Sequence, residues 1–140
     1  MKKFTIAITF AVALMAFSCD KIIGDYEYDI RVINNTNHDI EAVPGLGPDF
    51  MSSYPDTAIS ELEPYFVHVH SHDHNYIGYR EKWETVFPRL PADTLSIYIF
   101  STDTLKAYPW SVVRSGYKIL KRYDLSLKDL EKANWVIKYP

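Results

Sequence analysis

The order of apolar and polar residues predicts β-strands along most of the chain. Residues 28–32, Tyr-Asp-Ile-Arg-Val, alternate with a period of two, which is typical of a strand with one buried face. The Asn-Asn-Thr-Asn stretch at 34–37 is predicted to turn the chain, and the next strand is expected to return beside the first. Residues 44–48, Pro-Gly-Leu-Gly-Pro, are predicted to form a loop. Further strands are predicted at 38–43, 65–70, 95–100, 117–124 and 135–139, and the most apolar of them, 95–100, is expected to be central.

Three short segments between these strands are predicted to be helical, namely 80–87, 109–114 and 127–132. Pro109 stands at a first-turn position, and Ser126 and Asp129 have the spacing of a capping box. Each helix is about two turns long, so it needs tertiary packing to be stable. The sequence therefore predicts a mainly β domain, an antiparallel sandwich-like fold with two or three short connecting helices.

The N-terminal residues have the pattern of a lipoprotein signal peptide. Lys2 and Lys3 are followed by the apolar run 4–17, and Ser18 precedes Cys19, the only cysteine of the chain. The run is shorter than the roughly 20 residues of a membrane-spanning helix. The predicted organisation is a signal peptide at 1–18, a tether at 19–27 and one β-rich domain at 28–140.

Two processing routes are compatible with this N-terminus. Ala16-Phe17-Ser18 could serve as an ordinary signal-peptidase site, which would leave Cys19 as a free thiol. A single reactive thiol without a partner is a liability in an oxidising compartment, so lipidation of Cys19 is the favoured interpretation. The sequence then predicts a lipid-anchored protein of the cell envelope, in the outer membrane. Only Asp20 provides an acidic residue close to Cys19, so the sequence does not decide between the periplasmic and the surface face of the membrane.

Charge and motifs exclude several classes of function. The 15 basic and 18 acidic residues give a net charge of −3, which provides no electrostatic footprint for nucleic acid. The sequence contains no nucleophile motif, phosphate-binding loop or dinucleotide fingerprint. We therefore expect a non-catalytic protein without a cofactor.

Four histidines at alternate positions are the clearest candidate ligands: His68, His70, His72 and His74. On one extended strand they would share a face, and imidazole is the commonest metal ligand, so they could hold Zn²⁺. Same-face neighbours lie roughly 6.5–7 Å apart, so two of them can converge on one ion but four on a straight strand cannot. A site would need a bend near residues 71–75 that brings in Asp73 or His74, or a contribution from His38. The competing interpretation is an exposed, histidine-rich surface.

The tryptophans are the second candidate feature. Trp83 shares a predicted helical face with apolar residues, and Trp135 alternates with Ile137 on a predicted strand, so both are expected in the core. The alternative is an aromatic platform that binds a glycan. For Trp110 the sequence does not decide between the core and such a platform.

The C-terminal half resembles a known family. The succession comprises Asp-Thr-Leu-Ser-Ile-Tyr-Ile-Phe at 93–100, Trp110, Tyr-Lys-Ile-Leu-Lys-Arg-Tyr-Asp-Leu-Ser-Leu at 117–127, Asn134-Trp135 and Tyr139-Pro140. It is similar to small uncharacterised lipoproteins of Bacteroides-type bacteria and covers about residues 80–140. The resemblance implies a lipoprotein and carries over no catalytic residue. The expected function is a lipid-anchored binding or scaffolding module with a protein or glycan partner, and the alternative is a divalent-metal-binding envelope protein that uses segment 68–74.

Overall fold

The computed structural model describes residues 28–46 and 51–140, and the predicted signal peptide, the tether and Cys19 lie outside them. The strands are β1 Tyr28–Asn34, β2 Ile40–Gly45, β3 Val67–Val69, β4 His74–Tyr79, β5 Thr94–Ser101, β6 Lys121–Ser126 and β7 Val136–Tyr139. The helices are α1 Trp83–Val86, α2 Thr102–Ala107, α3 Trp110–Ser115 and α4 Leu127–Lys132, with 3₁₀ turns at Phe87–Arg89 and Pro91–Asp93. None of the helices in this part of the chain has both the length and the apolar character that a membrane crossing requires.

The strands form two sheets. One has the order β4-β1-β7 and the other the order β3-β2-β5-β6. Neighbouring strands are antiparallel, except that β1 and β7 run parallel. The apolar residues of both sheets meet in one core cluster, so the structure confirms the mainly β, sandwich-like fold with short helices.

The first two strands do not form a hairpin, which corrects the expectation that the second returns beside the first. β1 pairs with β4 and β7, whereas β2 pairs with β3 and β5 in the other sheet. Ile30 of β1 and Ile40 of β2 are both buried in the core between the sheets. The residues between the two strands therefore carry the chain across the sandwich. Asn34 holds this crossing, because its buried amide donates to the carbonyl oxygens of His38 at 2.7 Å and His70 at 3.1 Å.

The predicted loop at 44–48 begins later than expected, because Pro44 and Gly45 belong to β2. β3 pairs with β2 only as far as Ala42, so the side of Pro44 that faces away from β5 has no strand neighbour. The carbonyl oxygen of Pro44 accepts from the backbone N–H of Met51 at 3.3 Å. The proline nitrogen points to the same side as this carbonyl, so it removes no hydrogen bond from the ladder with β5.

The central position predicted for 95–100 is confirmed, and β5 is buried on both faces. Leu95, Ile97 and Ile99 point into the core between the sheets. Tyr98 and Phe100 point to the opposite face, where a second cluster forms with residues of segment 51–66 and of α3. The continuous apolar run of β5 is explained by these two cores, since a strand covered on both faces has no polar side.

The C-terminal tryptophan lies differently from its prediction. Trp135 precedes β7, has a left-handed backbone with φ of 59° and is only half-buried against the core. It follows the end of α4, where Asn134 is also left-handed and the N–H of Trp135 donates to the carbonyl oxygen of Leu130 at 2.8 Å. This hydrogen bond completes a Schellman-type helix end, which prevents the strand from starting at Trp135. The predicted strand at 117–124 also starts later, at Lys121.

Candidate metal site

The histidine-rich segment does not form one extended strand. β3 ends at Val69, a turn follows at 71–72, and β4 starts at His74 in the other sheet. His72 has a left-handed backbone with φ of 56° at this turn. The expectation that four histidines line one strand face is therefore wrong, because the chain crosses between the sheets in the middle of the segment.

The turn at 70–73 packs against the first crossing, at 35–39. The backbone N–H of His72 donates to the carbonyl oxygen of Thr36 at 3.2 Å, and the N–H of Ser71 donates to Oδ1 of Asp39 at 2.8 Å. These bonds place the Asp39 carboxylate beside the end of β3. The bend that a metal site requires is therefore present, but it brings in Asp39 rather than Asp73, His74 or His38.

His68, His70 and Asp39 bring three ligand atoms together, and we call these residues the metal triad. Nε2 of His68 lies 3.2 Å from Nδ1 of His70, and Oδ2 of Asp39 lies 3.4 Å from each of these nitrogens. Two ligands of a tetrahedral zinc ion, each roughly 2.0–2.1 Å from the metal, lie about 3.3 Å apart. The triangle of ligand atoms therefore has the dimensions of one face of a zinc coordination tetrahedron.

Strand pairing sets the position of His68. It lies opposite Glu41 in the β2–β3 ladder, and its Nδ1 donates to Oε1 of Glu41 at 2.6 Å. The same oxygen accepts from Oγ1 of Thr102 at 3.1 Å, and the Glu41 side chain is only 13% exposed. Histidines that bind metals usually donate their second ring N–H to such a carboxylate, which fixes the tautomer and the ring. Nε2 of His68 is thus left as the nitrogen that faces His70 and Asp39.

The Asp39 carboxylate is oriented by the backbone. Its Oδ1 accepts from Ser71, which leaves Oδ2 to face the two imidazoles. The hydrogen bond from the Ser71 backbone is the largest cause that lowers the pKa of Asp39, the neighbouring His70 and His68 lower it further, and desolvation opposes them. A lowered pKa keeps this side chain in the charged form that binds metal ions.

The other two predicted ligands lie elsewhere. Nε2 of His72 is 2.6 Å from Oδ1 of Asn37, and Nδ1 of His74 is 3.3 Å from Oδ1 of Asp73. The ring of His74 packs edge-on against Tyr76 at a centroid distance of 5.5 Å. The structure therefore brings together two of the four histidines and separates the other two from them.

Sequence reasoning missed Asp39 and Glu41. A signal for them exists, because both are polar positions that alternate with Ile40 and Ala42 in the predicted strand 38–43. The spacing of the histidines could not identify these carboxylates, since the pairing of β2 with β3 joins residues far apart in the chain.

The tryptophans do not combine into an exposed platform. Trp83 is buried in the core at 2% exposure. Trp110 packs edge-on against Phe66 and Phe100 and donates its Nε1 to the carbonyl oxygen of Ser60 at 3.0 Å. Trp135 borders a cleft of about 330 Å³ together with Tyr28, Asp29, Lys82, Trp83 and Glu84. Packing accounts for Trp83 and Trp110, which leaves the metal triad as the most specific arrangement of functional groups.

Comparisons with family models, with curated proteins and with solved structures found no match to this chain. The resemblance to small lipoproteins of Bacteroides-type bacteria therefore stays a prediction from the sequence.

Proposed function

We propose that this protein binds a divalent transition metal ion, zinc in the first place, through Asp39, His68 and His70. The mutual spacing of the three ligand atoms carries this proposal, because 3.2–3.4 Å matches the edges of a tetrahedral zinc site. The hydrogen bond from His68 to Glu41 supports it, since this pairing is typical of histidines that bind zinc.

The donor set determines the class of ion. Two imidazole nitrogens and one carboxylate oxygen favour zinc or copper over calcium and magnesium, which prefer oxygen ligands. Cu²⁺ binds such sites more tightly than Zn²⁺ in the general order of divalent ions, so both ions belong in the test.

Isothermal titration of the chain with Zn²⁺ and Cu²⁺ tests the site. We expect binding that is lost when His68 and His70 are both changed to alanine. The matched control changes His72 and His74 to alanine, which removes the same number of imidazoles from the same segment and should leave binding intact. If the two double variants bind equally, the segment is only a histidine-rich surface.

Glu41 provides a second variant. Glu41→Gln keeps the size of the side chain but removes the charge that faces Nδ1 of His68. Zinc affinity should fall about 10–100-fold, as for other carboxylates that support a ligating histidine. Thermal denaturation of the metal-free variant checks that the fold survives, because Glu41 also accepts from Thr102.

We further propose that this domain is anchored to the cell envelope by lipids on Cys19, with the outer membrane as its location. The support is the basic start, the apolar run and the serine before the single cysteine.

A non-catalytic binding or scaffolding module is the second candidate function. Four exposed large apolar or aromatic side chains between α2 and β6 favour it: Tyr108, Val112, Tyr117 and Leu120. A pull-down from native envelopes that compares the wild-type chain with a variant carrying Val112→Ser and Leu120→Ser tests this candidate. A protein that both chains capture equally would speak against it.

A further inference from the structure

Resting on the zinc site proposed above, we propose that the metal triad is a transfer site. In this mechanism an incoming donor group binds the ion at an open fourth position before Asp39, His68 and His70 release it. Three features of the site carry the proposal: the geometry of the triad, the engagement of the neighbouring histidines and the exposure of the ligands.

The triad supplies only one face of a tetrahedron. With ligand atoms 3.2–3.4 Å apart, a zinc ion at ordinary bond lengths lies about 0.7 Å out of their plane. The fourth position then lies beyond the ion, on the side away from the three ligand atoms. Structural zinc sites are closed by a fourth protein ligand, whereas sites with three protein ligands hold water or an exchangeable group there.

No fourth histidine, cysteine, aspartate or glutamate side chain joins the triad in the described part of the chain. His72 and His74 are engaged by other side chains, and His74 lies in the opposite sheet. Glu41 binds the far nitrogen of His68, so it lies on the side of that ring away from the triad. The open position is therefore left to water or to a donor from outside these residues.

Exposure makes the site accessible from one side. The His70 side chain is 68% exposed, against 36% for His68 and 37% for Asp39. Nδ1 of His70 faces the triad, whereas His68 and Asp39 are each fixed through a second atom by Glu41 and Ser71. His70 is thus the ligand that can leave first while the other two hold the ion.

The transfer is a ligand exchange without change in oxidation state. The incoming imidazole, carboxylate or thiolate forms one bond to the ion as the bound water leaves. The bond to His70 then breaks, followed by the bonds to Asp39 and His68, as further donor atoms replace them. Each new bond replaces one that breaks, so the ion never has to dissociate into water.

Stopped-flow transfer of Zn²⁺ from the full chain, held in mild detergent, to a chromophoric chelator tests the mechanism. We expect the observed rate to rise in proportion to the chelator concentration. His70→Ala should transfer faster, whereas His72→Ala, the control on the same turn, should match the wild type. A rate independent of chelator concentration overturns the mechanism, because it shows that the ion must leave before the chelator binds.

A spectroscopic measurement tests the open position without any variant. Titration of the Co²⁺-loaded chain with imidazole should change its visible absorption, because imidazole enters the fourth position. An unchanged spectrum shows a closed site and overturns the transfer mechanism while leaving metal binding intact. A chain that takes up neither Zn²⁺ nor Co²⁺ overturns both the site and the transfer.

Discussion

Trp83 is the largest fully buried side chain of the core. Its ring stacks on Tyr79 at a centroid distance of 5.2 Å and meets Phe87 edge-on at 6.4 Å. Trp83→Ala should lower the free energy of unfolding by about 3–5 kcal/mol, because a buried ring leaves a large cavity. Trp83→Phe should cost much less, since it keeps a ring and removes an Nε1 that has no hydrogen-bond partner among the described residues. Urea denaturation of both variants measures the difference.

Trp135 is the matched control. It is half-buried at the end of α4 rather than inside a strand. Trp135→Ala should therefore cost only about 1–2 kcal/mol, the ordinary range for a partly exposed residue. Equal costs for Trp83→Ala and Trp135→Ala would show that Trp135 contributes to the core as fully as the alternation in the sequence predicts.

The spacing of single residues predicted two of the three members of the metal triad, His68 and His70. His68 lies on β3 and His70 directly follows its last residue, so the period of two still places both on one face. His72 and His74 follow the same period in the sequence, but the turn at 71–72 separates them from that face. Asp39 reaches the triad only because two crossings between the sheets pack together. Alternation marks Asp39 as a polar position, but no local pattern predicts this long-range contact.

At the scale of elements, the capping box of α4 is confirmed. Oγ of Ser126 accepts from the N–H of Asp129 at 3.3 Å, and Oδ2 of Asp129 accepts from the N–H of Ser126 at 3.0 Å. Ser126→Ala should lower the free energy of unfolding by about 1 kcal/mol, since it removes the cap. Weakening α4 also destabilises the core, because Leu130 of this helix is fully buried there.

The same box is expected to respond to acid. The hydrogen bonds from the Ser126 side chain and backbone lower the pKa of Asp129 below its ordinary value. A lowered pKa in the folded state stabilises the fold above the unfolded value, and this contribution disappears as the pH falls through the folded pKa. Thermal denaturation should therefore show the effect of Asp129→Asn at neutral pH and little effect at pH values below the folded pKa. If the melting temperatures of the wild type and of Asp129→Asn differed by the same amount at every pH, this role of the carboxylate would be contradicted.

Gly45 is required by the packing of β2. A Cβ at this position would lie 2.5 Å from the backbone oxygen of Ser52 and 3.3 Å from Cβ of Ser96. Gly45→Ala should lower the free energy of unfolding by about 1–3 kcal/mol, because backbone atoms have to move. Gly116→Ala is the control, since its added Cβ would meet the flexible Lys118 side chain and the Val112 oxygen at 3.1 Å. Similar costs in chemical denaturation would contradict the close approach at Gly45.

The sequence predicts elements better than it predicts their neighbours. Alternation located β1 and a continuous apolar run located β5, because each pattern depends only on which faces of a strand are buried. Alternation could not assign β2 to the second sheet, since the same alternation fits a hairpin and a crossing between sheets. The proline rule failed at Pro44 for a related reason, because β2 has a neighbour on both sides at Ile40 and on one side only at Pro44.

At the scale of the whole molecule, the sheet β3-β2-β5-β6 lies between two apolar clusters. The metal triad lies at the edge strand of this sheet, on the face of the second cluster. Phe66 precedes β3, His68 lies on it and His70 follows its last residue. An edge position leaves the ligands accessible while the strand behind them is held by the core. This arrangement suits a site that exchanges its ion with another molecule.

Membrane attachment is the prediction that concerns the full chain. Acyl chains on Cys19 would hold the protein to a bilayer, because each buried methylene contributes about 0.8 kcal/mol and two or three chains add many of them. Cys19→Ala should release the protein from the membrane fraction or leave it unprocessed with its signal peptide attached. Fractionation of cells and mass spectrometry of the N-terminal peptide measure the two outcomes.

The control for this experiment keeps the polarity near the cleavage site. Cys19→Ser retains a small polar residue but removes the thiol that accepts the lipid, so it should behave as Cys19→Ala does. Ordinary signal-peptidase cleavage would instead leave the wild type unacylated, with a free thiol, and both variants would then fractionate as the wild type does. Since His68 and His70 lie in the folded domain rather than near Cys19, zinc binding should be the same in the released variant, which separates the anchor from the metal site.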